Sequence, residues 1–462
     1  MLHRLAPILA AVTLIWALDP GDVPAQPATT VQLPTFGVAV DADGVLSVKT
    51  YRDPGGRLHM ARTAAARRDM PGDLAAPATM RKISLRRLEA AIRERIAAGE
   101  KPDEVMRHLA GLLRVQYVFF LPDERDIVLA GPAEGFVADA SGRVVGMTSG
   151  RPVVLLEDLL VALRIFAPKS SGRPFVGCTI DPTRDGLTKL MQFQKTIPRA
   201  IPQRARTAAA VQIANGMSKA LGMADVRLFG VPANTHFAQV LVEADYRMKL
   251  IGIGVEPPPV RMVTFASSLK SAQHGGLQRW WFTPNYKCVR VTADHNAMEL
   301  VGQGVQLQSE DRVIGPGGRL INSAARENPA SDLYTTAFTK KYPEIAAASP
   351  VYAQLRNMID LTIAAAYLRA EDYYGRAGWD AALLMDNSAL PTDTVPTPKK
   401  APCAVNSFWK GSRLFSPAGG GVSITPTEAI EESNVLPDEE GKLASQQTQT
   451  ADAVPADRWW WD

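Results

Sequence analysis

From Gly37 to Tyr51, "GVAVDADGVLSVKTY", apolar and polar positions alternate on either side of an Asp-Gly turn, which predicts a β-hairpin. Residues 52–79 are rich in Arg, Ala, Pro and Gly and read as a mobile loop. At Ser84 the period changes. Leu85, Leu88, Ile92 and Ile96 recur at helical spacing behind a serine cap, and Gly99 stops the run. "VQYVFFL" and "DIVLAG" make a strand pair across a charged turn, "FVADASGRVVG" a second hairpin, and "LLEDLLVALRIF" a short helix. Beyond Ser171, "FVGCTID" reads as a strand, followed by two helices, the strand "VRLFGV" and the helix "THFAQVLVEADYRMK". "RWWFTPNY", "CVRVTAD", "AMELVGQ" and "VQLQSED" then read as an antiparallel meander. Two helices close this region, the second with Tyr352, Leu355, Ile359 and Ile363 on one apolar stripe. From Pro391 a Pro-rich linker leads to the hairpin-like "SFWKGSRLFSPAGGGVSI". An acidic, polar end follows, with the composition of a disordered tail, and it finishes in Trp459, Trp460 and Trp461.

These elements predict an α+β fold, with α/β open for the centre: mixed sheets with an antiparallel meander, packed helices and a disordered C-terminal tail. The expected divisions are a signal peptide (1–25), an N-terminal α+β region (26–170), a central domain (171–390) and the linker, hairpin and tail (391–462).

The signal reading rests on Arg4, an apolar core from Leu5 to Leu18 too short to span a bilayer, and Val-Pro-Ala before Gln26, where cleavage is expected. Later segments lack an uncharged run of membrane length. A mature chain without a membrane span is therefore expected in the periplasm or outside the cell. Its partners would be envelope components or other exported proteins. A net charge of +4 over 462 residues is too dilute for nucleic-acid binding, which needs a concentrated basic face. Cys178, Cys288 and Cys403 allow one disulfide in an oxidising compartment. Cys178 with Cys288 is the favoured pair because both lie in strand-like runs, and three free thiols are the alternative.

The runs "GVPANTHFAQVLVEADYRMKLIGIG", "RWWFTPNYKCVRV", "AMELVG", "FTKKYPEIAAASPVYAQLRNMIDL", "DIVLAGPAEG" and "FWKGSRLFSPAGGGVSI" together resemble the domain-of-unknown-function family 1598. The resemblance covers most of the chain after about residue 100 and implies an exported protein of planctomycete-type bacteria. It implies no activity, cofactor or site residue.

On a helical wheel, Phe237, Leu241, Ala244 and Met248 form one apolar face and Val242 and Tyr246 a second. Glu243–Arg247 and Asp245–Lys249 are acid-before-base pairs at i,i+4, an arrangement that supports a helix locally. His236 has no such partner. It sits beside the cap, Asn234 or Thr235, just after a strand, where a neutral imidazole aligned with Glu243 suits a general base. "DHN" brings a second histidine, His295, beside Asp294. His236, Glu243, Asp294 and His295 have the right ligand types for a metal, but no ligand spacing supports one. The catalytic candidates are thus His236, Glu243, Arg247 and His295. Arg279, Trp280 and Trp281 are candidates for stacking on a ligand, against the competing reading of core tryptophans under a covering arginine. "SSLK" (Ser267–Lys270) matches a two-position acyl-enzyme pattern without its companion motifs. Gly252 and Gly254, like Gly419–Gly421, read as turn or bulge glycines. Two functional classes remain: an envelope-binding protein without catalysis, favoured by the paired charges, and an exported hydrolase using His236 and nearby carboxylates. A polar pocket joining His236 to Glu243, Asp294 or His295 would favour the hydrolase, and exposed Trp280 and Trp281 the binding protein.

Overall fold

Two sheets organise the chain, and the central strands of the second, Tyr117–Leu121 and Asp126–Ala133, are near-continuous buried runs. A computed structural model describes residues 35–198, 200–269, 276–314, 320–322, 328–410 and 412–462. The signal reading of residues 1–25 and Lys270 of the "SSLK" run lie outside them. The first sheet has eight strands, running from Leu320–Asn322 through Val305–Ile314, Gly276–Pro284, Ser412–Ile424, Val176–Pro182 and Met223–Phe229 to Lys400–Pro402, with Ala404–Lys410 paired to Ser412–Ile424. Gly276–Pro284 and Ser412–Ile424 run parallel, and the other pairings are antiparallel. The second sheet orders seven strands: Leu436–Pro437, Val289–Val291, Ala297–Leu300, Tyr117–Leu121, Asp126–Ala133, Ala78–Ser84 and Trp460–Trp461. Two separate hairpins, Thr35–Val40 with Leu46–Tyr51 and Phe136–Ala138 with Val144–Gly146, fall where the sequence predicts them. The fold is α+β with mixed sheets, and Pro34–Asp462 is one compact unit.

Four helices position the site: α1 (Leu85–Ala97), α2 (Leu156–Ile165), α3 (His236–Gly252) and α4 (Pro350–Ala370). Thr235 starts α3, its hydroxyl accepting from the Ala238 amide at 3.2 Å. From Phe237 to Gly252 almost every residue of α3 is buried, charges included. Asp245 and Lys249 form a 2.7 Å pair, and the Lys249 ammonium also donates to the carbonyls of Ile180 and Gly420 in the first sheet. Gly420 has φ +114°, and a Cβ there would meet the Trp280 carbonyl at 2.0 Å, so this close strand crossing requires glycine. Burial holds the Asp245 carboxyl above its ordinary range against the pull of Lys249.

Several expectations change. The four meander runs divide between the sheets: Gly276–Pro284 pairs with Val305–Ile314 in the first, while Val289–Val291 and Ala297–Leu300 form a hairpin that joins the second through Tyr117–Leu121. Local alternation specifies strands but not their partners. Helix α4 is buried on every face from Val351 to Leu368, not on one stripe. Residues 52–79 contain the helix Arg57–Asp69, favoured by its Ala, Leu, Met and Arg content and by Asp53, which accepts from the amides of Leu58 and His59.

The expected disordered tail instead carries a helix, Lys442–Asp452, and Trp460–Trp461 pairs with Lys82 and Ile83 at a sheet edge. Trp460 lies between the guanidiniums of Arg81 and Arg458, 4.7 and 4.4 Å from its ring, and Asp462 pairs with buried Arg81 at 2.7 Å. Burial of aromatic surface outweighs the polar composition around it. The three cysteines are buried free thiols, so the favoured Cys178–Cys288 disulfide is not formed; Cys178 lies in a strand of the first sheet, and Cys288 just precedes a strand of the second.

Candidate functional site

The first turns of α2, α3 and α4 meet beside the N-terminal hairpin and the Phe136–Gly146 hairpin, enclosing a pocket of about 310 Å³. Its polar wall contains Glu157, His236, Gln239, Glu243, Arg143 and Gln354. His236 does not point along its own helix to Glu243. Its Nδ1 lies 2.8 Å from Oδ2 of Asp158, a buried residue on α2. Its Nε2 is 3.0 Å from the Gln354 amide nitrogen on α4. Arg143, which can only donate, reaches the Gln354 oxygen at 3.1 Å and so turns the amide nitrogen toward His236. In the neutral ring, Nδ1–H donates to Asp158 and Nε2 accepts from Gln354. Arg143 continues to Glu243 at 2.5 Å, Glu243 to Arg247 at 3.4 Å, and Arg247 to Glu256 at 2.8 Å. His236 and Glu243 are therefore joined through Gln354 and Arg143 and line one pocket, whereas Arg247 lies behind them.

Burial and charge tune this wall. Burial opposes the His236 imidazolium, but Asp158 and Glu157 together outweigh it and raise the pKa above the usual histidine range. The Gln354 contact favours the neutral ring, so protonating His236 requires that amide to turn or leave. Glu157 has no counter-ion at hydrogen-bond distance among the described residues. Burial, reinforced by the neighbouring Asp158 carboxylate, pushes it up from 4.5 to about 7. Its Oε2 is buried and has no hydrogen-bond partner among the described residues. His108, whose ring lies 4.8 Å from that of Phe136, is held below the histidine range by burial. A carboxyl titrating near neutrality and two histidines shifted in opposite directions thus line one concave site, the arrangement expected where protons are exchanged.

The other candidates lie elsewhere. His295 occupies a turn at φ +55° and contacts Glu371, just past the end of α4, at 3.1 Å. His236 touches Gln354 near the start of that helix, which puts the two histidines about 25 Å apart at 1.5 Å per residue. His236, Glu243, Asp294 and His295 therefore do not assemble into a metal set, and no other His/Cys/Asp/Glu cluster suited to a metal occurs among the described residues. Trp280 is fully buried and donates to Ser331 at 3.1 Å, so its ring offers no face to a ligand. Trp281 donates to Glu310 and lies 4.8 Å from the Arg279 guanidinium, which is itself paired with Asp181 and Glu310. The Ser267 hydroxyl completes a capping box with Thr264.

A family model described as "Protein of unknown function (DUF1598)" matches residues 178–265. Residues 178–265 belong to that family. No curated protein and no solved structure matches the chain. The family segment supplies α3, hence His236 and Glu243, while Arg143, Glu157, Asp158 and Gln354 come from outside it. The sequence reading missed these four. Their signal was faint: "LLEDLLVAL" puts two adjacent acids into an otherwise apolar helix, and "VYAQLRNMID" puts Gln354 among residues that all prove buried.

Proposed function

We propose that the chain is an exported hydrolase and that the pocket between α2, α3 and α4 is its acid–base site. The observation that carries this reading is Glu157, a carboxyl with a pKa of about 7 and an unpartnered oxygen, in the same wall as the Asp158–His236 pair. In the proposed reaction Glu157 takes a proton from water while the water oxygen bonds to an acyl carbon. The scissile C–O or C–N bond then breaks, and Glu157 returns the proton to the leaving group. His236 has both ring nitrogens engaged within the protein, which favours a positioning and electrostatic role over proton carriage. Gln354 uses one amide N–H on His236 and has a second to offer the developing oxyanion.

The binding reading would have gained from exposed Trp280 and Trp281, and Trp280 is buried in the core. Export rests on the composition of residues 1–25. No helix among the described residues is long and apolar enough to cross a membrane. The test is turnover of a panel of chromogenic esters and anilides. Glu157→Gln is expected to lower kcat/KM by about 10²-fold or more. The wild-type rate should rise with pH through about 7, as base catalysis by the Glu157 carboxylate requires. Turnover unchanged by Glu157→Gln, or none across the panel, contradicts the reading.

A further inference from the structure

Against the polar pocket lies a second cavity of about 340 Å³ with a different lining. Its wall includes Ile96 from the last turn of α1, Leu156 and Leu160 from α2, Leu155 just before α2, and Leu390 and Pro391 from the chain after α4. The two cavities share Arg107, His108, Leu155 and Glu157, so Glu157 stands at the junction of a polar half and an apolar half. Glu157 Oε2, a buried polar atom without a hydrogen-bond partner among the described residues, belongs to these shared residues, as does His108, whose Nδ1 lies 3.4 Å from a Glu104 carboxylate oxygen. At the rim, Lys101 and Arg107 face Glu100 and Asp393, so neither sign of charge dominates.

We infer that the substrate is an acyl compound with an unbranched apolar chain: the scissile carbonyl sits at Glu157 and the chain lies in the apolar half. This rests on the hydrolytic reading above and names its substrate class. A wholly polar substrate would leave the leucine-lined wall against water. A wholly apolar one would leave Glu157 without a partner. The volume accommodates on the order of ten non-hydrogen atoms, at roughly 30 Å³ each. That corresponds to an acyl chain of medium length.

The test uses the full chain and p-nitrophenyl acetate, butyrate, hexanoate and octanoate. Wild-type kcat/KM should rise by up to about fourfold per added methylene, and tenfold or more from acetate to octanoate. Ile96→Trp, which fills the apolar half, should flatten that ratio. Pro391→Trp, at an exposed position on the mouth, should flatten it too and guards against a folding defect in the first variant. A wild-type rate indifferent to chain length overturns the inference, as does a ratio retained in both folded variants. If no ester is cleaved, the hydrolytic reading fails by itself, and calorimetric titration with 1-octanol still decides the apolar site. Heat of binding in wild type that both variants lose supports the apolar site. No binding to wild type refutes it.

Discussion

Glu157 is a carboxyl kept in a place that disfavours its charge. Burial comes first and Asp158 adds to it, lifting its pKa from 4.5 to about 7. Because the folded-state value is raised, the stability this group contributes is complete below pH 4.5 and is lost as pH rises through about 7. Glu157→Gln removes a burden that exists only at the higher pH. The variant should be more stable than wild type at pH 8, by about 3 kcal/mol at most. The advantage should disappear near pH 4. Urea unfolding at both values measures it, and an equal difference at both would show that the carboxylate is not strained. His236, also raised, contributes in the same direction: its stabilising interaction with Asp158 weakens as pH rises through its folded value. A site whose acid is unstable once ionised is consistent with one that exchanges protons near neutrality.

Helix α3 illustrates how location changes the worth of a local interaction. On an exposed helix, Asp245–Lys249 would add a few tenths of a kcal/mol. Here both residues are fully buried against the first sheet, and Lys249 also satisfies two carbonyls of that sheet. Lys249→Met should therefore cost about 3–5 kcal/mol, because it leaves a buried carboxylate without its partner. Adding Asp245→Leu should recover a large part of that loss, and a double-mutant cycle by urea unfolding checks both. The helix and its i,i+4 pairs were legible in the sequence because they depend on residues one turn apart. The burial of its charged stripe was not, since it depends on sheet strands and helices contributed by distant segments. The same reason hid the burial of α4 on all faces and the division of the supposed meander between two sheets.

At the scale of the molecule, the cleft is a product of long-range packing. Asp158 and His236 are 78 residues apart and His236 and Gln354 118, so no spacing rule could have joined them. His236 was identifiable as the polar residue at a helix start without a local partner. Its real partners required α2, α3 and α4 to bring their first turns together. The tail was misread for a related reason: Arg81, which anchors it, lies far away in the chain, and composition alone does not reveal such a partner. The central claim is that this convergence creates a proton-exchanging carboxyl. A ¹³C NMR pH titration of the glutamate carboxyls in the full chain tests it most directly, with Glu157→Gln assigning the resonance. The account predicts a midpoint of about 7 for Glu157, and a midpoint at the ordinary 4.5 would contradict it.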